Sequence, residues 1–87
     1  MNFLKTEVSA DRGDVVEVTL SGNAANVKLL DASNFASYQR GQAHRYYGGF
    51  FTSSPARISV PTTGHWYVVV DLGGRTGRVN ASVRVLS

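Results

Sequence analysis

Few side chains in this sequence have the types and spacing that a catalytic or metal centre needs. The histidines, His44 and His65, fall on separate predicted strands, and Asp31 and Asp71 lie at strand ends, where an aspartate usually caps a turn. A zinc site needs three or four ligands, and nothing in the spacing of these residues assembles one. The chain also has no cysteine and no Gly-x-Ser-x-Gly elbow. We therefore expect no metal, no cofactor and no enzymatic activity, since catalysis would require these four residues to converge in one cleft.

Aromatic and arginine side chains are the second group that could do chemistry. The stretch HRYYGGFF (44–51) holds four aromatic rings, and strand alternation would place Tyr46 and Tyr47 on opposite faces, so one of them should be exposed. An exposed tyrosine beside arginine suits a contact surface and can stack on a sugar or a base. The alternative is that these rings belong to the core. The predicted binding patch comprises Phe35, Tyr38, Arg40, His44, Arg45 and Tyr47.

The patch favours a non-enzymatic binding or interaction module, of a sensing kind, whose partner is a protein or a small ligand. The alternative is a single-stranded nucleic-acid-binding domain, in which the same aromatics stack on bases and arginines contact the backbone. Seven of the nine basic residues are arginine, and the formal net charge is +3. These charges are scattered, so nucleic acid is only weakly supported. The arginines assigned to that alternative are Arg45, Arg57, Arg75 and Arg78.

The elements that must position these side chains are mostly strands, because apolar and polar residues alternate along nearly the whole chain. The segment HWYVVVDL (65–72) is apolar on both faces and is predicted to be a central strand. The other predicted strands are 3–8, 14–20, 26–31, 44–51, 56–60 and 78–85. Their predicted inward side chains are Val16, Val18, Leu20, Val27, Leu29, Ile58, Val60, Val79, Ala81, Val83 and Val85, with Glu17 and Thr19 outward.

One segment departs from the strand pattern. DASNFASYQRGQ (31–42) predicts a short helix or helical turn, beginning at Ser33, on which Phe35 and Tyr38 share a face. Arg40 falls in its last turn, and Gly41 suits a left-handed cap. About seven strands with one helical turn around 33–40 predict an all-β fold. The expected architecture is a small single-domain, jelly-roll-like β-sandwich over residues 1–87.

Two glycine pairs, together with Gly64 in the turn PTTG, are predicted to be structural. Gly73 and Gly74, between two strand patterns, indicate a glycine-rich hairpin. Gly48 and Gly49 have no polar turn residues around them and indicate a bulge, or a bend where the strand crosses between sheets. Neither pair has the lysine-bearing pattern of a phosphate-binding loop.

Length and composition indicate the number of domains and the location of the protein in the cell. At 87 residues the chain is expected to be one domain, and the absence of cysteine favours a cytoplasmic location. The N-terminus turns polar too soon for a signal peptide, and the longest apolar run, WYVVV, is too short to cross a membrane. A sandwich of this size has open sheet edges that could pair with a second copy, so a homodimer is compatible with the sequence.

The order of several motifs resembles a family of small bacterial domains of unknown function, which occur free-standing or appended to TIR-type signalling domains. The segments that carry the resemblance are NVKLLDASNFASYQRGQ, YYGGFF and PARISVPTTGHWYVVVDLGGRTGRVNASVRV, which together span nearly the whole chain. The resemblance implies an all-β sandwich, no catalytic residues and no identified ligand. An association with TIR domains would imply a sensing or interaction role by context alone.

Overall fold

Seven strands and one helix account for most of residues 2–87, the part of the chain that the computed structural model describes. In chain order they are β1 (Phe3–Ala10), β2 (Val15–Gly22), β3 (Ala25–Leu30), α1 (Ala32–Gln39), β4 (Tyr47–Phe51), β5 (Ala56–Ser59), β6 (Gly64–Asp71) and β7 (Val79–Leu86). The predicted strand boundaries are therefore confirmed to within one or two residues, except that the aromatic strand begins at Tyr47 rather than at His44.

The strands form two antiparallel sheets that face each other. Sheet A has the order β1-β6-β3-β4 and sheet B the order β5-β2-β7. Only β3 and β4 are both paired and consecutive among the strands, and α1 lies between them. The other connections cross from one sheet to the other, as expected of a jelly-roll-like sandwich.

Alternation along the strands builds the core between the sheets. Six of the eleven predicted inward side chains are buried there, including Val16, Val18, Val27 and Leu29. On β7, the corresponding residues are only half-buried, because β7 lies at the edge of sheet B. Glu17 lies on the outer face of β2 as predicted, but it is buried beneath two arginines that flank it from the neighbouring strands. Arg57 donates to it over 3.0 Å and Arg84 over 2.7 Å.

Strand β6 is central, as predicted, and its two apolar faces serve two different clusters. Trp66, Val68 and Val70 point between the sheets, whereas Tyr67 and Val69 point to the outer face of sheet A. That outer face is covered by α1, so the molecule has a third layer. An isolated strand pair could not bury both faces of such a sequence, and the helix explains why β6 lacks a polar face.

The helix begins one residue earlier than predicted, because Asp31 rather than Ser33 is its N-cap. The Asp31 side chain accepts a hydrogen bond from the Asn34 backbone N–H. At the other end, Gly41 has φ +70°, and its N–H donates to the Tyr38 carbonyl while the Gln42 N–H donates to the Ser37 carbonyl. This pair of bonds is a Schellman cap, which confirms the predicted left-handed glycine.

The glycine predictions are partly wrong. Strand β4 pairs with β3 in unbroken register, from Leu29 opposite Tyr47 to Ala25 opposite Phe51, so there is neither a bulge nor a sheet crossing at 48–49. Gly48 is nevertheless constrained, with φ +121° and no room for a Cβ beside the Val27 carbonyl. Gly49 and Gly64 have open space and lack a left-handed φ, so their conformation does not demand glycine.

The hairpin predicted at Gly73 and Gly74 does not exist. Both residues do have positive φ, +66° and +85°. However, β6 belongs to sheet A and β7 to sheet B, and they do not pair. Residues 72–78 instead carry the chain across the end of the sandwich. The physical reason is that β7 finds its partner in β2, about sixty residues earlier, which no local turn pattern reveals.

Candidate functional site

The predicted binding patch is not one continuous exposed surface. Phe35 and Tyr38 are each only 6% exposed, because they anchor α1 to the outer face of sheet A. The Phe35 ring stacks on Tyr67 with 4.4 Å between ring centroids, and Phe3 meets both helical rings edge-on. The expectation that these two residues are exposed is therefore wrong, and the core alternative holds for them.

Tyr38 also belongs to a buried polar network centred on Asp71, which is 2% exposed. The Tyr38 hydroxyl donates to Oδ2 of Asp71 over 2.5 Å. The other carboxylate oxygen accepts from Asn26 Nδ2 and from the Gly73 N–H, each over 2.9 Å. The network ties α1, β3, β6 and the 72–78 segment together. The hydrogen bonds of the Asp71 carboxylate thus give this residue a structural position in the fold.

Burial and hydrogen bonding act in opposite directions on the Asp71 carboxyl. Burial disfavours its charged form, but the hydrogen bonds from Tyr38, Asn26 and Gly73 outweigh burial and hold the pKa of Asp71 below its ordinary value. For the phenol, burial and the bond to the carboxylate act together and raise the pKa of Tyr38 well above its ordinary value. At neutral pH the pair is therefore a charged acceptor and a neutral donor.

Three other patch residues, His44, Arg45 and Tyr47, do come together. They line a cavity of about 660 Å³ at one end of the sandwich, which we call the end cavity. It lies there because β3 ends where the antiparallel β4 and β6 begin. Its lining residues are Leu29, Asp31, Asn34, His44, Arg45, Tyr46, Tyr47, Thr62 and Trp66. Arg40 is exposed at the C-cap of α1 and does not line it.

Aromatic and aliphatic side chains form one part of the end cavity. The Trp66 indole N–H donates to the Thr62 carbonyl over 2.9 Å, which fixes the orientation of the ring. Tyr47 meets Trp66 edge to face, with ring centroids 6.1 Å apart, and Leu29 is fully buried beside it. Trp66 is 6% exposed and Tyr47 50% exposed, so a ligand would reach the tyrosine ring first.

Polar groups form the opposite part of the cavity and are joined to the start of α1. Asn34 Nδ2 donates to the Asp31 carboxylate over 3.0 Å, and Asn34 Oδ1 accepts from the Arg45 backbone N–H over 2.8 Å. The 40–46 loop is thereby held against the helix. Across residues 2–87, no carboxylate lies within ion-pair distance of the Arg45 guanidinium, whose five N–H donors stay available.

A lysine lies at the rim of the end cavity, behind His44. The His44 Nδ1–H donates to the Gln42 carbonyl over 2.9 Å, which leaves Nε2 to accept from the Lys28 ammonium at 3.1 Å. The same ammonium lies 4.6 Å from the Tyr46 ring centroid and 5.0 Å from that of Tyr38. These cation–π contacts hold the rim in place. His44 is thus engaged by protein groups on both ring nitrogens.

Several residues of the end cavity were not identified from sequence. The sequence places Trp66 in the central strand and Asn34 in the helix without including either in the predicted patch, and it assigns Thr62 to no site. The available signal was the single tryptophan of the chain, two residues after the turn PTTG. The pairing of the 31–34 cap with Arg45 depends on how a loop folds back, which the residue pattern does not specify.

The titratable residues considered for catalysis do not share one cleft. Asp31 and His44 line the end cavity, whereas Asp71 is buried beneath α1. His65 contacts Glu7 at the other end of β6 from Asp71, about 20 Å away along the strand. Within residues 2–87 there is no group of three His, Asp or Glu that could hold a metal ion. In the same part of the chain, no helix is long and apolar enough to cross a membrane.

Comparison with known families identifies a family to which the chain is matched over its whole length. A family model described as "Domain of unknown function (DUF1883)" covers residues 1–87. No curated protein and no solved structure matches the chain.

Proposed function

We propose that this chain, which belongs to the DUF1883 family of domains of unknown function, is a non-enzymatic binding module that takes a small ligand in the end cavity. The observation that carries the proposal is the meeting of an aromatic wall, Trp66 and Tyr47, with the unpaired guanidinium of Arg45 in one concave site. Its volume lies in the range of small-molecule sites, and a few converging polar groups on an aromatic lining are typical of them.

The lining specifies the chemistry of the ligand. A flat ring or the apolar face of a sugar would pack on Tyr47 and reach towards Trp66. An anionic group on the same molecule would pair with Arg45, whose planar fork suits a carboxylate or phosphate. We therefore expect a ligand that carries both parts, such as a sugar acid or a nucleoside phosphate.

Binding rather than catalysis is supported by the hydrogen bonds that Asp31 and His44, the two titratable residues considered for catalysis that line the cavity, make within the protein. The Asp31 carboxylate accepts from both the backbone and the side chain of Asn34 at the start of α1. Both ring nitrogens of His44 are engaged by Gln42 and Lys28. A general acid or base must be free to exchange a proton with a substrate, and these hydrogen bonds already engage Oδ1 of Asp31 and both ring nitrogens of His44.

The single tryptophan of the chain makes the test direct, since intrinsic fluorescence then reports on the end cavity. Glucose and glucuronate differ only in a carboxylate, as adenosine and AMP differ in a phosphate. We expect a saturable change in Trp66 emission with the anionic member of at least one pair. Arg45→Ala should weaken that binding by about tenfold or more, as for a lost charge-assisted pair, and Tyr47→Ala should weaken both members of the pair.

Phe50→Ala is the matched control for the tyrosine, because Phe50 is as exposed as Tyr47 but lies on the outer face of β4, against Arg75. Its fluorescence titration should match that of the wild type. Equal losses in the Phe50 and Tyr47 variants, or identical binding of each neutral and anionic pair, would contradict the proposed site.

Single-stranded nucleic acid is less well supported as a ligand. Of the arginines assigned to it, Arg45 lies at the end cavity and Arg57 on the outer face of sheet B. Arg75 and Arg78 lie in the 72–78 segment at the opposite end of the sandwich. A strand-binding groove needs a continuous track of cations beside stacking rings, and these positions do not form one.

A further inference from the structure

Two unpaired sheet edges are eight residues long, and they belong to β1 and β7. Eight residues, Phe3–Ala10, pair with β6 on one side and with nothing on the other. The segment contains no proline or glycine and has no bulge in its register with β6. Edges of this kind are templates for pairing with another strand unless something blocks them.

Charges on an edge normally block such pairing, and β1 has two, Lys5 and Glu7. They lie two residues apart on the outer face of the sheet, with 3.4 Å between ammonium and carboxylate, and 40% and 45% of their side chains are exposed. Because they have opposite signs, their effect on pairing between two copies depends on the register.

Only one of the central registers makes these charges complementary. If two β1 strands run antiparallel with Thr6 opposite Thr6, Lys5 of each copy faces Glu7 of the other, twice by symmetry. A shift of the centre to Lys5 places the two lysines opposite each other, and a shift to Glu7 does the same for the two glutamates. The intermediate registers, with Thr6 opposite Lys5 or Glu7, would pair outer-face residues of one copy with inner-face residues of the other. The edge is thus self-complementary about Thr6 and self-repelling on either side of it.

The inner face of β1 fits the same register. Leu4 is 44% exposed, one of few large apolar side chains that the fold leaves open. With Thr6 at the centre, Leu4 of each copy lies directly opposite Val8 of the other, on the side where β7 offers only half-buried valines. Pairing would therefore cover apolar surface on one face while it joins opposite charges on the other.

The other edges lack this match. Strand β7 carries Arg84 without an acidic residue, β4 has five residues and β5 has four. From the register, the charges and the exposed leucine together, we infer that β1 is a homodimer interface, at which two copies join their four-stranded sheets into one continuous eight-stranded sheet. The partner at this edge is a second copy of this chain. Pairing at β1 does not require a ligand in the end cavity.

Charge reversal tests the register. Sedimentation equilibrium of the wild type at low salt should give a mass twice the 9.4 kDa of one chain. Lys5→Glu alone places glutamate against glutamate, and Glu7→Lys alone places lysine against lysine, so each should weaken the dimer by about tenfold or more. An equimolar mixture of the two variants restores both opposite pairs and should recover the dimer as a heterodimer.

Arg40→Glu is the control, because it changes the net charge as Lys5→Glu does but lies at the C-cap of α1. It should dimerise like the wild type. Thermal melting of each variant, expected within a few degrees of the wild type, shows that loss of the dimer is not loss of the fold.

Cross-linking gives a second readout. The chain has no cysteine, so Thr6→Cys introduces a single thiol at the symmetry axis. Opposed residues in antiparallel strands have Cα atoms about 4.5–5.5 Å apart, which a disulfide spans. Mild oxidation should convert this variant to a covalent dimer, whereas Ser82→Cys on the outer face of β7 should form little covalent dimer. A monomeric wild type up to its solubility limit, charge variants that dimerise as tightly as the wild type, or no faster cross-linking at Thr6 than at Ser82 would each overturn the inference.

Discussion

At the scale of single residues, the Tyr38–Asp71 hydrogen bond decides how firmly the helix is attached. Both groups are buried, so the carboxylate is shielded from solvent that could replace a lost partner. Removing a hydroxyl that donates to a buried charged acceptor leaves that acceptor unsatisfied.

Tyr38→Phe should therefore lower the free energy of unfolding by about 2 kcal/mol, although it keeps the ring and its stacking. Urea denaturation followed by far-UV circular dichroism measures the change. Tyr47→Phe is the matched control, since Tyr47 is half exposed and its hydroxyl makes no hydrogen bond within residues 2–87. A loss as large in Tyr47→Phe as in Tyr38→Phe would contradict the assigned network.

The depressed pKa of Asp71 makes part of the stability depend on pH. A carboxyl whose pKa is lower in the folded state stabilises the fold fully above its ordinary pKa of 3.8, and this contribution is lost as the pH falls through the folded-state pKa. Glu7 and Glu17 have pKa values shifted in the same direction, by hydrogen bonds from His65 and Lys5 and from the two arginines respectively. The decline of the wild type in acid therefore includes contributions from these three carboxyls.

Asp71→Asn isolates one of them. The gap in unfolding free energy between wild type and Asp71→Asn should be largest near neutral pH and should shrink as the pH falls below the ordinary carboxyl pKa of 3.8 and through the lower pKa of the folded state. Denaturant titrations at several pH values from neutral to acid give both curves. A gap that stays constant over this range would show that the Asp71 carboxylate is not stabilised by folding.

At the scale of elements, β4 shows how one backbone position can fix a strand. Gly48 lies at φ +121°. A Cβ added to it would collide with the Val27 carbonyl and would lie 3.0 Å from Ile58 Cδ1. An L side chain would be strained by the backbone conformation and would also collide with the neighbouring strand. The next residue, Gly49, has neither restriction.

Gly48→Ala should cost about 2 kcal/mol or more of unfolding free energy, from the strained φ and the collision together. Gly49→Ala, one residue along the same strand, should change it by less than about 1 kcal/mol. Chemical denaturation of the pair gives the comparison directly. Similar losses in the two variants would mean that β4 tolerates a side chain at Gly48 by moving away from β3.

The same elements show what the sequence could and could not predict. Strand positions followed from alternation, and the central place of β6 followed from its two apolar faces. The hairpin at Gly73 was wrong because the true partner of β7 is distant in the chain, and turn chemistry informs only about local pairing. Tyr38 was misplaced for a related reason. Its three-residue spacing from Phe35 identified the helix face, but not the buried outer face of sheet A that receives it.

The end cavity was only half predictable for the same physical reason. His44, Arg45 and Tyr47 are neighbours in sequence, so their aromatic and cationic character was visible as one stretch. Trp66 and Asn34 reach the cavity from β6 and α1, through strand pairing and a folded-back loop. Residue types therefore indicated the chemistry of the site, and non-local pairing determined which other residues complete it.

At the scale of the whole molecule, β6 joins the two apolar clusters into one unit. Its inner face belongs to the cluster between the sheets and its outer face to the cluster beneath α1. Neither cluster can lose its packing without exposing one face of this strand. The fold should therefore unfold as a single cooperative unit.

Thermal or urea unfolding should accordingly give coincident transitions by two probes. Trp66 fluorescence follows the inner cluster, and near-ultraviolet circular dichroism of the tyrosines is weighted towards the outer cluster, where Tyr38 and Tyr67 lie. Separate midpoints for the two signals would indicate that α1 detaches from the sandwich before the sheets separate, and that the third layer is an independent unit.

The side chain of Asn34 connects the start of α1 to the wall of the end cavity, and this bridge links two equilibria. Fraying of the first helical turn would break the bond between Asn34 and the Arg45 backbone N–H and open the cavity wall. A ligand that needs the intact wall therefore favours the closed helix, and the closed helix favours binding of that ligand to the same degree. Amide hydrogens in α1 would then exchange with solvent more slowly when the cavity is filled, at positions that touch no ligand. If the cavity takes a ligand as proposed, protection of the first turn of α1 would report its occupancy.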